Sequence, residues 1–580
     1  MTTLDSDHAT TTAGPATPAT GPAFPPAAPS DPTAPHVTAA RVEVRADRPT
    51  GPLDRVWESI GYDEINWTYT PTGRRLLRTF GDLADDGFLV RPHYVFCSGS
   101  GFGIPHWGSG NVYHEDADGR PRHDFGIVDQ AYDAIVGAGH HVLVELGFTP
   151  RDLVPDRAAE LTVAPSPTVY TSYEAGAWAY PPRDLDRWAG LVRALAAHCR
   201  DRYGEQEVSA WLWELWNEPD IFYWRGSVEE FCALYSVTAA AVRAELPEAR
   251  VGGPAVTSGG ADFLRRFLAH TSRTGDPLDF VSYHSKGCAF PSRLYRPADD
   301  PPPERLSPSS TKMLHDLRTL DRVIAEFPRY ADLPAVVDEC DAAVPAHFGR
   351  YDNPNYGFQN TEYYPVFQVK LMKKVLDLNA TERVRIDRAT SWSFYFEGER
   401  FFEGTRSFLT AGRIEKPLLN AYRMLARLRG PRLEAGSDAA WSLTELDRDA
   451  ADGSSMREEV DVLAAGDPAA LGVLVWRHTD DQWRTTDDAA AVEVVVSGLT
   501  DGRYRLRHER IDAGHSNAHT VWRALGSPQD PTEEQLEAVR ARQGLETCEP
   551  DRTVEVAGGR LVLPVALPLP AVSLLSLTRV

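Results

Sequence analysis

The sequence predicts an α/β fold: a (β/α)8 TIM barrel followed by an accessory C-terminal β-sandwich domain, with a disordered N-terminal leader. Between residues 37 and 430, apolar stretches typical of buried strands alternate with stretches of helical period. After residue 430 the pattern changes to short alternating runs separated by turn residues. Residues 1–36 are mostly Ala, Pro, Thr, Ser and Gly, which cannot bury enough apolar surface to offset the entropy of ordering. The predicted domains are therefore residues 1–36, 37–430 and 431–580.

Eight apolar stretches are predicted to form the barrel strands. They are residues 56–62, 88–96, 141–148, 208–218, 250–254, 280–284, 335–339 and 390–396. Apolar residues recur with a period near 3.6 over residues 184–203, 228–246 and 311–327, which predicts helices there. A doubly wound sheet would share this alternation. It usually carries a glycine-rich phosphate loop at its first helix, however, and none is evident in the sequence.

The C-terminal part shows the alternation of half-buried strands. The runs are residues 471–476, 492–496, 504–509, 554–556, 561–567 and 572–577. One helix is predicted over residues 532–542, where acidic residues occupy the first turn. Residues 37–44 read as a further strand that precedes the barrel.

Composition excludes several classes of partner. The chain has 60 Lys and Arg against 83 Asp and Glu, a formal net charge of -23, so binding to nucleic acid or to an anionic membrane surface is not expected. No stretch approaches the roughly 18 to 20 apolar residues of a membrane span. The first residues do not read as a secretory signal, and the six cysteines lack metal-ligand spacing, so we expect free thiols in the cytoplasm. The oligomeric state stays open, with a homo-oligomer among the options.

The segment Trp216-Asn217-Glu218-Pro219 is the most informative of the chain, because it places an Asn–Glu pair beside tryptophans at the end of a predicted strand. Tryptophan offers a surface for sugar rings and desolvates a neighbouring carboxyl group, which favours its protonated form. Glu218 is therefore the candidate general acid and base of a glycoside hydrolase. We expect Asn217 to bond to the sugar 2-hydroxyl.

A second carboxylate, Glu339, ends another predicted strand. A retaining glycosidase needs an ionised carboxylate about 5–5.5 Å from the acid, on the other face of the sugar. Because groups distant in sequence meet at the C-terminal face of a barrel, Glu339 is the candidate nucleophile, held ionised by donors such as His284 or Tyr283. An isolated glutamate at a strand end is more often a surface ion-pair partner, but two in this context favour catalysis.

Other polar residues at predicted strand ends are candidates for substrate binding, and each has a structural alternative. His93 could contact sugar or fill the barrel, and Arg91 could orient a carboxylate or touch substrate. Trp392 could form an aromatic floor and Glu397 could bind a hydroxyl, or both could serve packing alone. Cys340 reads as a small buried side chain.

At these residues the chain resembles glycoside hydrolase family 39, the family of β-xylosidases and α-L-iduronidases. Residues 216–219 are similar to the family's acid and base motif, residues 141–150 to its third strand, and Asp338-Glu339 to its nucleophile segment. Residues 511–518 and 522–528 resemble the accessory β-domain of the β-xylosidases. The resemblance implies a barrel with a β-sandwich, pairing of the strand before the barrel with that sandwich, and no metal or cofactor.

Two departures bear on the substrate. Residues 282–287 resemble the iduronidase version, in which the position of Lys286 contacts a substrate carboxylate; the alternative is a lysine paired with a neighbouring acid. Residues 396–406 differ from the glycine-rich loop of the xylosidases. The leading hypothesis is an exo-acting, retaining β-D-xylosidase on oligosaccharides or glycosides. The alternatives are α-L-iduronidase or α-L-arabinosidase specificity, and a non-catalytic carbohydrate-binding protein.

Overall fold

A computed structural model gives the fold. It describes residues 35–62, 65–97, 112–156, 177–288, 305–344, 346, 348–382, 384–392, 394–395, 400–452 and 457–580. Residues 1–34 of the predicted leader lie outside this part.

Parallel strands of the described chain form a closed (β/α)8 barrel, which confirms the predicted fold class. Neighbouring strands follow chain order around the barrel. They are Ser59–Tyr62, Leu89–Pro92, His141–Leu146, Leu212–Leu215, Arg250–Val256, Phe280–Lys286, Ala335–Asp341 and an eighth strand in two parts, Ile386–Ala389 and Ser391–Trp392. The first part of the eighth strand pairs with the seventh strand and the second part pairs with the first strand, so the sheet closes.

Helices cover the outside of the barrel. They are Pro71–Gly81, Gly126–Val136, Leu185–Tyr203, Val228–Glu245, Ala261–Thr274, Ser310–Ala325, Tyr363–Glu382 and Pro417–Ala426. The three predicted helices are confirmed, and their ends follow local chemistry. Asp184 caps one helix by accepting from two backbone N–H groups, and Gly204, at φ 88°, ends it. Ser227 and Glu230 form a capping box at the start of the next.

The fourth strand begins later than the sequence predicted. Residues 208–210, predicted to begin the fourth strand, belong to the short helix Glu205–Ala210, and the strand covers only Leu212–Leu215. Glu205 and Glu207 lie in the first turn of this helix, where acidic side chains interact favourably with the helix dipole. This local preference outweighs the strand-like apolar run.

The accessory domain is one curled, mostly antiparallel sheet, and all six strands predicted for it are confirmed. The order is Glu546–Thr547, Gly502–Ile511, Ala571–Arg579, Ala470–His478, Glu459–Gly466, Arg432–Ser437, Ala39–Gly51, Ala490–Ser497 and Arg560–Leu567, with Arg552–Val556 also on the second of these. Ala39–Gly51 lies inside this sheet, parallel to Ala490–Ser497, so the chain begins the accessory domain before it enters the barrel. Side chains from both halves of the sheet share one apolar core.

The accessory domain also contains the helices Leu443–Asp452, Ala518–Ala524 and Glu533–Arg540, of which the last was predicted. The loops of the barrel contain two short antiparallel strand pairs. They are Tyr113–Glu115 with Pro121–His123 and Leu409–Thr410 with Ile414–Glu415. Within the described residues, no helix combines the length and apolarity needed to cross a membrane.

Candidate active site

Arg91 organises the C-terminal end of the barrel. It lies on the second strand, is fully buried, and its guanidinium donates to Glu214 at 2.8 Å and to Asn217 at 2.9 Å. It also lies 3.1 Å from Glu145 and 3.4 Å from Glu339. Burial opposes its charge, but the surrounding carboxylates raise the pKa of Arg91 well above its usual value. One buried cation therefore ties the second, third, fourth and seventh strands together.

A strained turn after the fourth strand presents Glu218. The backbone of Trp216 has φ 70° and that of Glu218 has φ 46°, both in the left-handed region that ordinary residues rarely adopt. The Glu218 N–H donates to the carbonyl of Ala255 at 2.9 Å, which fixes the turn against the fifth strand. The Glu218 side chain keeps 17% of its surface exposed, so it faces an accessible space.

His284, on the sixth strand, lies between the two predicted catalytic acids. Its Nδ1 is 2.8 Å from Oε1 of Glu218, and its Nε2 is 3.3 Å from Oδ2 of Asp338. A carboxylate oxygen of Glu218, a ring nitrogen of His284 and a carboxylate oxygen of Glu339 all lie within 4.8 Å of one another. Burial would lower the pKa of His284, but Glu339 and Asp338 raise it well above its usual value. His284 is therefore a cation whose two N–H groups donate to carboxylates.

Glu339 is buried in the most cationic surroundings of this site. Lys286 donates to Oε2 of Glu339 at 2.7 Å, and Nδ1 of His284 lies 3.8 Å from the same oxygen. Arg91 donates to the other oxygen, Oε1. Burial would raise the pKa of Glu339, but the charges of His284, Lys286 and Arg91 outweigh this and hold it below its usual value. Glu339 is therefore ionised at neutral pH.

Lys286 is paired with acids, as the alternative interpretation of this lysine expected. Besides Glu339, its ammonium donates to Asp341 at 2.6 Å. Asp341 also forms an ion pair with Arg406 and accepts from the backbone N–H of Trp392 at 2.8 Å. The lysine thus belongs to a network of charges that connects the sixth, seventh and eighth strands.

Trp392 and His93 pack beside Arg91. The Arg91 guanidinium lies 5.0 Å from the centre of the Trp392 ring, and the His93 and Trp392 rings are 5.3 Å apart. A Cβ atom on Gly61 would come within 2.4 Å of the Trp392 ring, so only glycine fits beneath it. Nε2 of His93 is 3.2 Å from Glu145, and burial, assisted by Arg91, lowers the pKa of His93 well below its usual value.

The tryptophans next to Glu218 do not form a sugar surface, contrary to the sequence interpretation. Trp213 and Trp216 have no exposed surface. The Trp216 indole donates to the carbonyl of Tyr223 at 3.0 Å, and its ring packs against Phe148 and Trp224. These indoles are core residues that hold the turn in place.

The fold brings seven of the eight predicted site residues to one end of the barrel. They are His93, Asn217, Glu218, His284, Lys286, Glu339 and Trp392. Glu397 lies outside the described residues. Sequence reasoning gave no role to Glu145, Glu214, Asp338, Asp341 or Arg406, which complete the charge network. The first four stand beside recognised motifs on predicted strands, and the period of two in a strand could have indicated which of them point inward.

The cluster of Glu218, His284 and Glu339 has the size of a metal site, but its charges do not suit one. His284 carries a proton, and a metal ligand must be neutral. Lys286 and Arg91 also occupy the Glu339 oxygens that a metal ion would need. The donor set instead suits acid–base and nucleophilic chemistry with two carboxyl groups.

Comparison with known proteins identifies the family. The model of "Glycosyl hydrolases family 39" matches residues 41–557. A β-xylosidase of Geobacillus stearothermophilus is 23% identical over 554 residues, 92% of each chain. Human α-L-iduronidase is 26% identical over 425 residues, 67% of this chain and 59% of that protein. The crystal structure of a monomeric β-xylosidase from Caulobacter crescentus CB15 has a TM-score of 0.72 at 24% identity, covering 93% of this chain and 100% of that chain.

The matched segment includes the barrel, the buried carboxylates and most of the accessory sheet. The chain therefore belongs to glycosyl hydrolase family 39 and is a glycosidase.

Proposed function

We propose that this glycosidase is a retaining, exo-acting β-D-xylosidase-like hydrolase of oligosaccharides or glycosides. The observation that carries the proposal is the approach of Glu218 and Glu339 to within 4.8 Å, with Lys286 and Arg91 on Glu339 and His284 on Glu218. Retaining enzymes place their two carboxyl groups about 5–5.5 Å apart, whereas inverting enzymes need roughly 6.5–9.5 Å to admit a water molecule.

Glu339 is the nucleophile in this proposal. Its carboxylate attacks the anomeric carbon, the bond to the leaving oxygen breaks, and a covalent glycosyl–enzyme ester forms. The cations around Glu339 support this role because they keep it deprotonated. Arg91 and Lys286 also fix the direction of its two oxygens.

Glu218 is the general acid and base. It gives its proton to the leaving oxygen as the first bond breaks. It then takes a proton from the water that attacks the ester and releases the sugar with retained configuration. The His284 imidazolium, itself anchored on Asp338, supports this role, since its Nδ1 lies 2.8 Å from Oε1 of Glu218 and can pass it the proton that the leaving oxygen receives.

The remaining residues are proposed to bind the sugar. Asn217 is held by Arg91 beside Glu218, where it can reach a hydroxyl next to the anomeric carbon. His93, Trp392 and, outside the described residues, Glu397 complete the proposed set. The full-length similarity to β-xylosidases supports a pentose.

α-L-Iduronidase specificity on the same site is the second candidate, because the ammonium of Lys286 lies beside Glu339, where it could bind the carboxylate of a uronic acid. A substrate carboxylate would, however, have to share this ammonium with Glu339 and Asp341. α-L-Arabinosidase specificity stays an alternative on the same machinery. A non-catalytic binding protein is disfavoured, since both acids are retained in a hydrolase family.

Two measurements test the proposal. Nitrophenyl β-xyloside, α-arabinoside and α-iduronide are compared as substrates; turnover of the α-iduronide with no turnover of the β-xyloside would overturn the choice of sugar. The variant Glu218→Ala should lose far more activity on glycosides with poor leaving groups than on activated ones, because only the former need protonation. Equal losses on both would remove Glu218 from the acid role.

A further inference from the structure

A ligand-sized space lies between the barrel and the accessory domain. It has a volume of about 280 Å³ and is lined on the barrel side by residues that follow the seventh strand, among them Arg350, Tyr351 and Phe358. The accessory domain contributes Trp483, His519 and Arg523. Neither Glu218 nor Glu339 is among its lining residues, so this cleft is separate from the carboxylate pair.

Two arginines that line the cleft have no acidic partner among the residues that the structure describes. Neither Arg350 nor Arg523 forms an ion pair with any residue of the described chain, although the protein carries a formal net charge of -23. Arginines elsewhere are commonly paired, such as Arg542 with Glu546. Two unpaired guanidinium groups at one cleft leave a local positive charge, and the planar guanidinium binds a carboxylate through two parallel hydrogen bonds.

Aromatic rings stand beside these cations. The guanidinium of Arg350 is 5.7 Å from the centre of the Tyr351 ring, and that of Arg400 is 4.9 Å from it. Arg305 is 5.6 Å from the centre of the Trp483 ring. Rings of this kind pack against the apolar faces of sugars, while the cations supply hydrogen-bond donors at their edges.

His519 adds a neutral polar group to the wall. Burial lowers its pKa to about 3, with Arg523 and Arg350 contributing in the same direction. The imidazole is therefore uncharged at neutral pH and offers one donor and one acceptor. Its ring is held between Phe402 and Trp522, at 5.2 Å and 5.7 Å.

The walls of the cleft are fixed across the domain boundary. The Gln482 amide donates to the carbonyls of Leu306 at 2.6 Å and Asn355 at 2.9 Å. The Gln529 amide donates to the Tyr351 hydroxyl at 3.0 Å. A ligand would meet a preformed surface, which reduces the entropic cost of binding.

We propose that this cleft binds a saccharide unit that carries a carboxylate, with Arg350 and Arg523 on the carboxylate and Tyr351 or Trp483 against the sugar ring. The volume is near the small end of ligand pockets, roughly 300–1,000 Å³, which suits a single acidic sugar unit of a larger glycan. The site goes beyond the proposed hydrolysis and contributes recognition away from the reacting bond.

The test is a binding measurement, so it does not depend on which glycoside is hydrolysed. Isothermal titration compares a glucuronic-acid-substituted xylo-oligosaccharide with the unsubstituted oligosaccharide of the same length. The proteins are Glu339→Gln, to prevent turnover, and the same protein with Arg350→Ala, with Arg523→Ala, with both of these, with Lys286→Met or with the control Arg505→Ala. Arg505 is an exposed arginine on the accessory strand Gly502–Ile511.

We expect the acidic sugar to bind more tightly than the neutral one, and Arg350→Ala and Arg523→Ala each to reduce that preference about ten-fold. Arg505→Ala should leave it unchanged. Equal affinity for the two sugars, or a preference that survives loss of both arginines, would overturn the proposal. A preference abolished by Lys286→Met instead would assign acidic-sugar recognition to the carboxylate pair and refute the second site.

Discussion

At the scale of single residues, the charge on Glu339 depends on the cations that touch it, and Lys286 is the nearest at 2.7 Å. These cations hold the pKa of Glu339 below its usual value, so its carboxylate stays ionised as the solution is acidified. Replacing Lys286 by Met removes one cation, raises the pKa of Glu339 and causes activity to be lost at a higher pH as pH falls. We expect the acid limb of kcat/KM against pH to move upward by about one unit.

The matched control for this prediction is Arg560→Met, which removes an exposed cation on the accessory domain. Its pH profile should coincide with that of the native enzyme. An acid limb that stays in place in Lys286→Met would mean that Lys286 does not govern the ionisation of Glu339.

Gly61 is a second residue on which the site depends. A methyl group there would meet the ring of Trp392 at 2.4 Å, and this ring packs against Arg91 and His93. Gly61→Ala should therefore displace the ring and reduce kcat/KM by about ten-fold or more while the protein stays folded, since small displacements in an active site are costly. Gly190→Ala, at a helix position where an added methyl meets nothing, is the control and should retain full activity. Full activity in Gly61→Ala would refute the supporting role of Trp392.

At the scale of elements, His140 joins the first barrel helix to the second strand. Its Nδ1 accepts from the Phe88 N–H at 2.9 Å, and its Nε2 donates to the Leu77 carbonyl at 2.8 Å. Nδ1 can accept its bond only while the ring is neutral. Burial favours the neutral ring and lowers the pKa of His140 to about 4. Between about pH 6.5 and 4 the unfolded chain binds a proton here that the folded chain does not, so folding stability falls as pH falls through this window.

His140→Leu should lower the free energy of unfolding by about 1–3 kcal/mol at pH 7.5, because the buried Phe88 N–H loses its acceptor and the Leu77 carbonyl loses the imidazole donor. The difference in stability between the two proteins should be smaller at pH 5. The protein with His140 loses stability there because its unfolded chain binds a proton at this ring, whereas the leucine variant has no ring to protonate. Urea unfolding at both pH values measures this. A deficit that stays constant would mean that His140 does not titrate as described.

The elements most open to prediction were those with a strong local pattern. The helix Leu185–Tyr203 has an apolar face, a capping Asp184 and a terminating Gly204, and it lies where the sequence placed it. The helix Glu205–Ala210 was missed because six residues are too few to show a period. The sequence indicated Glu218 and Glu339 as neighbours in a barrel. It indicated His284 as a donor to Glu339 but not its contact with Glu218, since that contact depends on the turn that follows the fourth strand.

At the scale of the whole molecule, buried ion pairs join the two domains. Lys374, on the barrel helix Tyr363–Glu382, lies 3.1 Å from Glu459 and 3.0 Å from Asp461 of the accessory sheet, and all three side chains are almost fully buried. Lys370 of the same helix lies 3.0 Å from Asp480, which caps the helix Ser310–Ala325 through Ser310. The accessory domain is therefore packed on the barrel as a fixed part of the enzyme.

Lys374→Met should lower the free energy of unfolding by about 3 kcal/mol, because Glu459 and Asp461 lose the buried cation that they share and each keeps one lysine, Lys370 at 3.6 Å and Lys373 at 2.8 Å. Arg265→Met, which breaks the exposed pair with Glu326, is the control and should change stability by less than about 1 kcal/mol. Urea unfolding followed by tryptophan fluorescence measures both. If Lys374→Met changed the free energy of unfolding as little as Arg265→Met, the buried ion pairs would not stabilise the contact between the domains.

The two-domain organisation was largely predictable, because the sequence pattern changes clearly near residue 430, from alternating strands and helices to short alternating strands. The docking between the domains was not, since Lys374 and Glu459 are far apart in sequence and neither belongs to a motif. The same holds for the cleft of Arg350 and Arg523, which exists only once the domains are packed together.

The most direct test of the whole account is covalent trapping with an activated 2-fluoro xyloside, followed by peptide mapping of the labelled protein. The fluorine slows hydrolysis of the ester, so the attacking residue keeps the sugar. We predict a single adduct on Glu339, formed more slowly in Lys286→Met at low pH. An adduct on another residue, or turnover through inversion without any adduct, would contradict the account.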